Sequence, residues 1–120
     1  MSRRVDIQVV EARVGENFLF TVTGGKAHIG AIATAGRIKT EWFSETMELP
    51  GHKEGPLATV LAEYASEQLH AVVSVVVGIH LPNATKEEIV LAVEDAEHRF
   101  KQVLSDLLLA RNQDGGDTKI

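Results

Sequence analysis

The first part of the chain alternates apolar and polar residues with a period of two. Val5, Ile7 and Val9 alternate with Asp6 and Gln8. Residues 15–17 then have turn chemistry, and residues 18–22 resume the alternation. A period of two is typical of a strand with one buried face and one wet face. The pattern therefore predicts a hairpin.

Further strands are predicted before the first proline. Residues 29–34 form the third predicted strand, a turn is predicted at Ala35-Gly36, and residues 38–43 form the fourth. Residues 44–49 alternate less regularly, which leaves two interpretations open. They are either a fifth short strand or an extension of an edge strand.

The pattern changes to a helical period after a loop at residues 50–56. Pro56 suits the first position of a helix, where its missing N–H costs nothing. Residues 71–81 are apolar on both faces, which predicts a central strand that is covered on both sides by the fold or by a partner. The apolar stripe that predicts the helix consists of Leu57, Leu61, Tyr64, Ala65 and Leu69.

A second helix is predicted to begin at a capping box. Thr85 and Glu88 have the Thr-x-x-Glu spacing in which each side chain accepts a hydrogen bond from the other residue's N–H group. An apolar stripe then continues to about Ala110. Residues 113–120 lack apolar content and are predicted to be a flexible tail, so residues 1–112 form the predicted domain.

The order of these elements predicts an α+β fold of two layers. One mostly antiparallel sheet of four or five early strands plus the central strand would carry two helices on one face. A homodimer is also predicted, because the central strand is apolar on both faces and the last helix carries more apolar residues than one sheet face requires. The residues in excess are Leu104, Leu107, Leu108 and Leu109.

Composition narrows the possible functions. The 120 residues contain 44% hydrophobic and 24% charged residues, with a net charge of −5, which argues against non-specific binding to nucleic acid or to anionic membranes. No cysteine is present, so disulfides, thiolate metal sites and cysteine nucleophiles are excluded. No apolar run is long enough for a membrane helix, and the amino terminus does not resemble a signal peptide. A soluble, cytoplasmic protein is expected.

A glycine-rich segment after the second strand is the first candidate site. It contains Gly24, Gly25 and Gly30 together with Lys26 and His28. Glycines allow backbone N–H groups to approach an anion, and a lysine adds charge. The segment matches neither the Walker pattern nor the dinucleotide fingerprint. An anion-binding loop and an ordinary hairpin loop therefore both stay open.

Two more histidines stand beside glycines at predicted element ends. His80 follows Gly78 at the end of the central strand, and His52 lies near Glu54 in the loop at residues 50–56. Each could bind a ligand, or it could be a structural or solvated histidine. With His28 they could form a catalytic metal site, but no short histidine spacing favours one. Metal is therefore not expected.

The order and spacing of these motifs resemble a known family. Phe20 begins a segment Phe-Thr-Val-Thr-Gly-Gly-x-x-His-Ile-Gly, which is followed by Leu-Pro-x-His-Lys at residues 49–53 and Gly-Ile-His at residues 78–80. Across residues 5–90 the chain resembles the prenylated flavin chaperone-like proteins, which include the small D subunit of bacterial gallate decarboxylase. The resemblance implies a fold similar to that of proteasome assembly chaperones. Its shared positions are Gly24, Gly25, His28, Gly30, His52 and His80.

The resemblance implies a non-catalytic accessory protein for a decarboxylase that uses prenylated FMN. Lys26 and the loop N–H groups would hold the phosphate of FMN or prenylated FMN, while the three histidines would line its ring. A large decarboxylase subunit would be the partner. Two alternatives stay open, namely a small metal-dependent enzyme built on the histidines and a purely structural dimer.

Overall fold

The computed structural model describes the backbone of residues 2–117 and the side chains of residues 2–111. Five strands and two helices follow one another in the order β-β-β-β-α-β-α. Their bounds are β1 Ile7–Val14, β2 Asn17–Gly25, β3 Ala31–Ile38, β4 Glu41–Glu48, α1 Gly55–Leu69, β5 Val73–His80 and α2 Lys86–Asp117.

All five strands belong to one open sheet in the order β1-β2-β5-β3-β4. Only the β2–β5 pairing is parallel, and the other three pairings are antiparallel. Strand β5 enters the sheet between two strands that precede it, which gives it the central position predicted from its apolar residues. The α+β class and the mostly antiparallel sheet are confirmed.

Two details of the predicted strands are wrong. The turn predicted at Ala35-Gly36 lies inside β3, and the chain turns instead at residues 39–40, where Lys39 has a positive φ of 59°. Gly36 serves packing, because a Cβ there would lie 2.9 Å from Cγ2 of Val72. Residues 41–48 form the single strand β4, so the alternative of a fifth short strand before α1 is also wrong.

Both helices pack on the same face of the sheet. Helix α1 lies over β3, β4 and β5, while α2 contacts β1 and α1. Phe100 of α2 is fully buried and meets Phe20 of β2 edge to face, with 5.0 Å between the ring centroids. The core consists of this face of the sheet and the helix sides that cover it, so the opposite sheet face has no helix over it among the described residues.

The predicted capping box forms at the start of α2. The Thr85 N–H donates to Oε1 of Glu88 at 2.9 Å, and the Glu88 N–H donates to Oγ1 of Thr85 at 3.1 Å. Arg3 forms an ion pair with the same carboxylate at 3.0 Å, and Arg4 pairs with Asp95 at 2.8 Å. These contacts hold the amino-terminal segment against α2.

Helix α2 continues beyond the predicted end near Ala110, to Asp117. The tail predicted for residues 113–120 lies outside the residues whose side chains the structure describes, and residues 118–120 lie outside the described backbone as well. Its flexibility therefore stays a prediction. Neither α1 nor α2, over the part that the structure describes, has a stretch apolar enough and long enough for a bilayer crossing.

Candidate ligand-binding site

The candidate site lies where the parallel strands β2 and β5 end side by side. Gly25 and His80, the last residues of these strands, are paired in register. The segment 26–30 then connects β2 to β3 across the end of β5. Ligands of open sheets commonly bind outside the carboxyl ends of parallel strands, since the connecting loops diverge there.

The glycines of this region allow the chain segments to approach closely. A Cβ on Gly78 would lie 1.5 Å from the His28 carbonyl oxygen, and a Cβ on Gly25 would lie 2.0 Å from the His80 carbonyl oxygen. Gly25 also has a positive φ of 64°. Any side chain at Gly78 would therefore displace the backbone of His28.

Two N–H groups of the glycine-rich segment bind the protein itself. The Lys26 N–H donates to the His80 carbonyl at 3.0 Å, and the Gly30 N–H donates to the Val77 carbonyl at 2.9 Å. Both bonds fix the segment to the end of β5. The contribution of Lys26 to anion binding would therefore come from its side chain rather than from its amide.

Three histidines from distant parts of the sequence come together here. The ring centroid of His28 lies 5.0 Å from that of His52 and 6.3 Å from that of His80. His28 follows β2, His52 precedes α1, and His80 ends β5, so three separate elements contribute to the cluster. The convergence on which the sequence-based hypothesis depends is present.

Glu54 organises this cluster. Its Oε2 lies 2.9 Å from Nε2 of His28 and accepts the Ile79 N–H at 3.2 Å. Only 14% of its side chain is exposed. Its carboxyl group fills the space in front of Gly30, where a Cβ would lie 2.4 Å from it. Sequence reasoning considered Glu54 only beside His52, and only the tertiary contacts reveal its role at His28.

Both ring nitrogens of His28 face acceptors. Nδ1 lies 2.9 Å from the Lys26 carbonyl oxygen, and Nε2 faces the Glu54 carboxylate. A carbonyl and a carboxylate both accept hydrogen bonds, so both ring nitrogens of His28 have partners within the protein. His52 differs, because its Nδ1 lies 2.9 Å from the Pro50 carbonyl oxygen and no carboxylate of the described residues forms an ion pair with it. The two rings therefore offer a ligand different hydrogen-bonding groups.

The histidines form one wall of a cavity of about 580 Å³. This size is within the range of about 300–1,000 Å³ that is usual for small-molecule sites. Lys26 and Lys53 extend the polar wall. The apolar part of the lining comes largely from α2 and the segment before it, a contribution that sequence reasoning missed. The apolar lining residues are Leu57, Ile79, Leu81, Ala84, Ile89, Ala92 and Val93.

Glu88 lies at the edge of this cavity as a fixed anion. Its hydrogen bond from the Arg3 side chain, with further bonds from the N–H groups of Thr85 and Arg3, lowers its pKa from 4.5 to about 2. A second cavity of about 490 Å³ lies between β1 and α2, but it contains none of the three clustered histidines. We therefore place the candidate site in the first cavity.

The side chains of the cluster are not arranged as a metal site. Among the residues that the structure describes, no three or more histidine, cysteine or carboxylate side chains are positioned to hold a metal ion. The nearest charged partner of His28 is the Glu54 carboxylate, which also binds the backbone.

Comparison with solved structures identifies a protein of the same fold. A crystal structure titled "Crystal Structure of a Novel Chaperone Complex for Yeast 20S Proteasome Assembly" superposes with a TM-score of 0.54 at 14% identity, covering 88% of this chain and 96% of that chain. A search of curated proteins gives no match. The model of the family described as "Prenylated flavin chaperone LpdD-like domain" matches residues 1–108. The chain therefore belongs to the family of prenylated flavin chaperone LpdD-like domains.

Proposed function

We propose that this protein binds prenylated FMN in the histidine-lined cavity and delivers it to a decarboxylase that lacks its cofactor. The observation that carries the proposal is the convergence of His28, His52 and His80 in one cavity whose lining also contains many apolar residues. The protein itself performs no covalent step. We further propose that it acts in the cytoplasm and as a homodimer.

The two walls of the cavity match the two kinds of surface on this cofactor. Lys26 and Lys53 supply positive charge for a phosphate. The histidines offer hydrogen bonds and aromatic faces to the polar edge and the ring system. The apolar wall from Leu57, Ile89 and Val93 would exclude water from the prenylated portion. A carrier needs such non-covalent contacts, because it must release what it binds.

The carboxylates restrict where the phosphate can bind. Glu54 and Glu88 are both anionic groups of the cavity lining, and a phosphate beside either would be repelled. The lysine end of the cavity is therefore the proposed phosphate site. In our proposal Gly25, Gly30 and Gly78 serve the site indirectly, because they allow His80, Glu54 and His28 to approach closely. A Cβ on Gly24 would instead meet side chains of the core, those of Val5 and Ile7.

Flavin fluorescence tests the proposal directly. Titrating the protein into FMN or prenylated FMN should quench flavin fluorescence in a saturable manner. Replacing both Lys26 and His28 with alanine should abolish the quenching, because the variant lacks a cation to bind the phosphate and a side chain to contact the flavin ring. A Lys39→Gln variant is the matched control, because it removes a cation from the β3–β4 hairpin at the opposite end of the sheet.

The delivery step needs a separate measurement. Protein loaded with prenylated FMN should activate a cofactor-free decarboxylase that depends on prenylated FMN, and the Lys26/His28 double variant should not. Unchanged fluorescence at saturating flavin would disprove cofactor binding. Quenching without activation would disprove delivery while leaving binding intact.

A further inference from the structure

The face of the sheet opposite the helices is apolar and uncovered in the single chain. It is formed by the residues of the five strands that alternate with those on the helix-covered face. Val10 on β1 and Met47 on β4 are 58% and 61% exposed, while Val76 on the central strand is half-buried. Large exposed apolar patches mark interaction sites on soluble proteins.

Two polar side chains at the centre of this face are paired with each other. Thr34 and Ser74 stand at its centre and bond to each other at 2.7 Å, so their hydroxyl groups need no water partner. The strands β2, β5 and β3 place no Asp, Glu, Lys or Arg side chain on this face. Glu41 and Glu45 are its charged residues on β4, which is an edge strand.

The area of the face agrees with what a stable dimer needs. Strands lie about 4.8 Å apart and rise about 3.3 Å per residue, so five strands of about eight residues present about 600 Å². Two such faces in contact would bury about 1,200 Å² in total, the lower limit of a standard specific interface. Permanent interfaces are more apolar than transient ones. The contact with a decarboxylase would be transient, because the carrier must leave the enzyme again, and a more polar surface would suit it.

We infer that the face bearing Val10, Val76 and Met47 is where a second copy of this chain packs, sheet against sheet. The inference rests on the homodimer in the proposed function and identifies the surface that forms it. Helix α2 is the weaker candidate, because Leu104 is buried within the chain and Leu107 and Leu108 pack partly against its own core. Residues of α1 and α2 line the histidine cavity at the end of the sheet. His80 ends β5 in alternation with Val76, so the cavity of each copy would lie beside the interface.

Light scattering of the full chain and matched charge variants tests this inference. The wild-type mass should be near twice the 13.0 kDa of one chain. Val10→Glu and Met47→Glu should each reduce the mass to that of one chain, because both positions tolerate a charge in the monomer but not in an apolar interface. Val60→Glu is the control, since Val60 is 52% exposed on α1, and it should stay dimeric.

Chemical labelling provides a second test that does not depend on mass. The chain has no cysteine, so Val76→Cys introduces one thiol at the centre of the face. A maleimide should label this thiol slowly in the Val76→Cys variant. Labelling should be at least tenfold faster in the double variant that also carries Val10→Glu. Circular dichroism should show that all variants are folded.

The outcomes separate the inference from the proposed function. A wild-type mass of one chain would disprove both the dimer and this interface. A dimer that survives Val10→Glu and Met47→Glu, with equal labelling of Val76→Cys in both backgrounds, would disprove the interface alone. Flavin quenching by the monomeric Val10→Glu variant would show that binding does not need the dimer, and it would leave the inferred interface supported.

Discussion

Glycines near the site matter at the residue scale because of what they allow to approach. The sequence suggested that they expose amides to a phosphate, whereas Gly78 and Gly25 lie where a Cβ would overlap backbone carbonyl groups. This role could not be recognised from the sequence, because the contacts join residues that are about fifty positions apart. The space beside Gly78 is filled by the backbone of His28.

Glu54 gives a prediction for a single side chain. Glu54→Ala removes the acceptor of the Ile79 N–H and the partner of His28, and groups left without a partner cost about 1–3 kcal/mol each. We expect a loss of about 1–3 kcal/mol in the free energy of unfolding, measured with urea. Glu54→Gln should lose less, because its amide oxygen can still accept the Ile79 N–H.

Glu63→Ala is the control for that experiment. Glu63 is an exposed residue of α1, so its removal should change the free energy of unfolding by less than about 0.5 kcal/mol. If Glu54→Ala costs no more than Glu63→Ala, Glu54 does not organise the histidine cluster.

The start of α2 gives a prediction at the scale of an element. The pKa of Glu88 is lowered from 4.5 to about 2 by Arg3 and the N–H groups around it. A carboxylate whose pKa is lower in the folded state stabilises the fold above pH 4.5, and this contribution is lost as pH falls from 4.5 to about 2. Glu88→Gln should therefore be less stable than wild type above pH 4.5, and the difference should diminish on acidification.

Glu87→Gln is the matched control for this titration. Glu87 is exposed in the same helical turn, so its variant should follow the wild-type stability curve closely. Unfolding midpoints measured in urea across the pH range would show the difference. A Glu88→Gln curve parallel to wild type at every pH would contradict the proposed linkage.

At the scale of the whole molecule, Phe100 joins the helix layer to the sheet. It is fully buried and packs on Phe20, so Phe100→Ala should lower the free energy of unfolding by about 3–5 kcal/mol. Val90→Ala on the exposed side of α2 should change it by less than about 0.5 kcal/mol. Similar losses in both variants, measured by thermal and urea unfolding, would mean that α2 is not integral to the core.

Local sequence patterns were sufficient for the element types and their order. Alternation identified β1 and β2, a run apolar on both faces identified the central β5, and the Thr85–Glu88 spacing identified the start of α2, because these signals depend on residues close in the chain. The motifs also indicated the family that the comparison later showed. The predicted turn positions were less accurate, because the glycine at position 36 allows close contact with Val72 and does not form a turn.

Long-range contacts set which segments meet in space. The insertion of β5 between β2 and β3 brings the ends of three elements together and creates the histidine cluster, and strand order depends on contacts that no local pattern encodes. The same packing put Glu54 beside His28, made α2 a cavity wall and left one sheet face uncovered. Periodicity therefore predicts which faces of the elements are apolar, whereas the three-dimensional arrangement sets which element packs on each face.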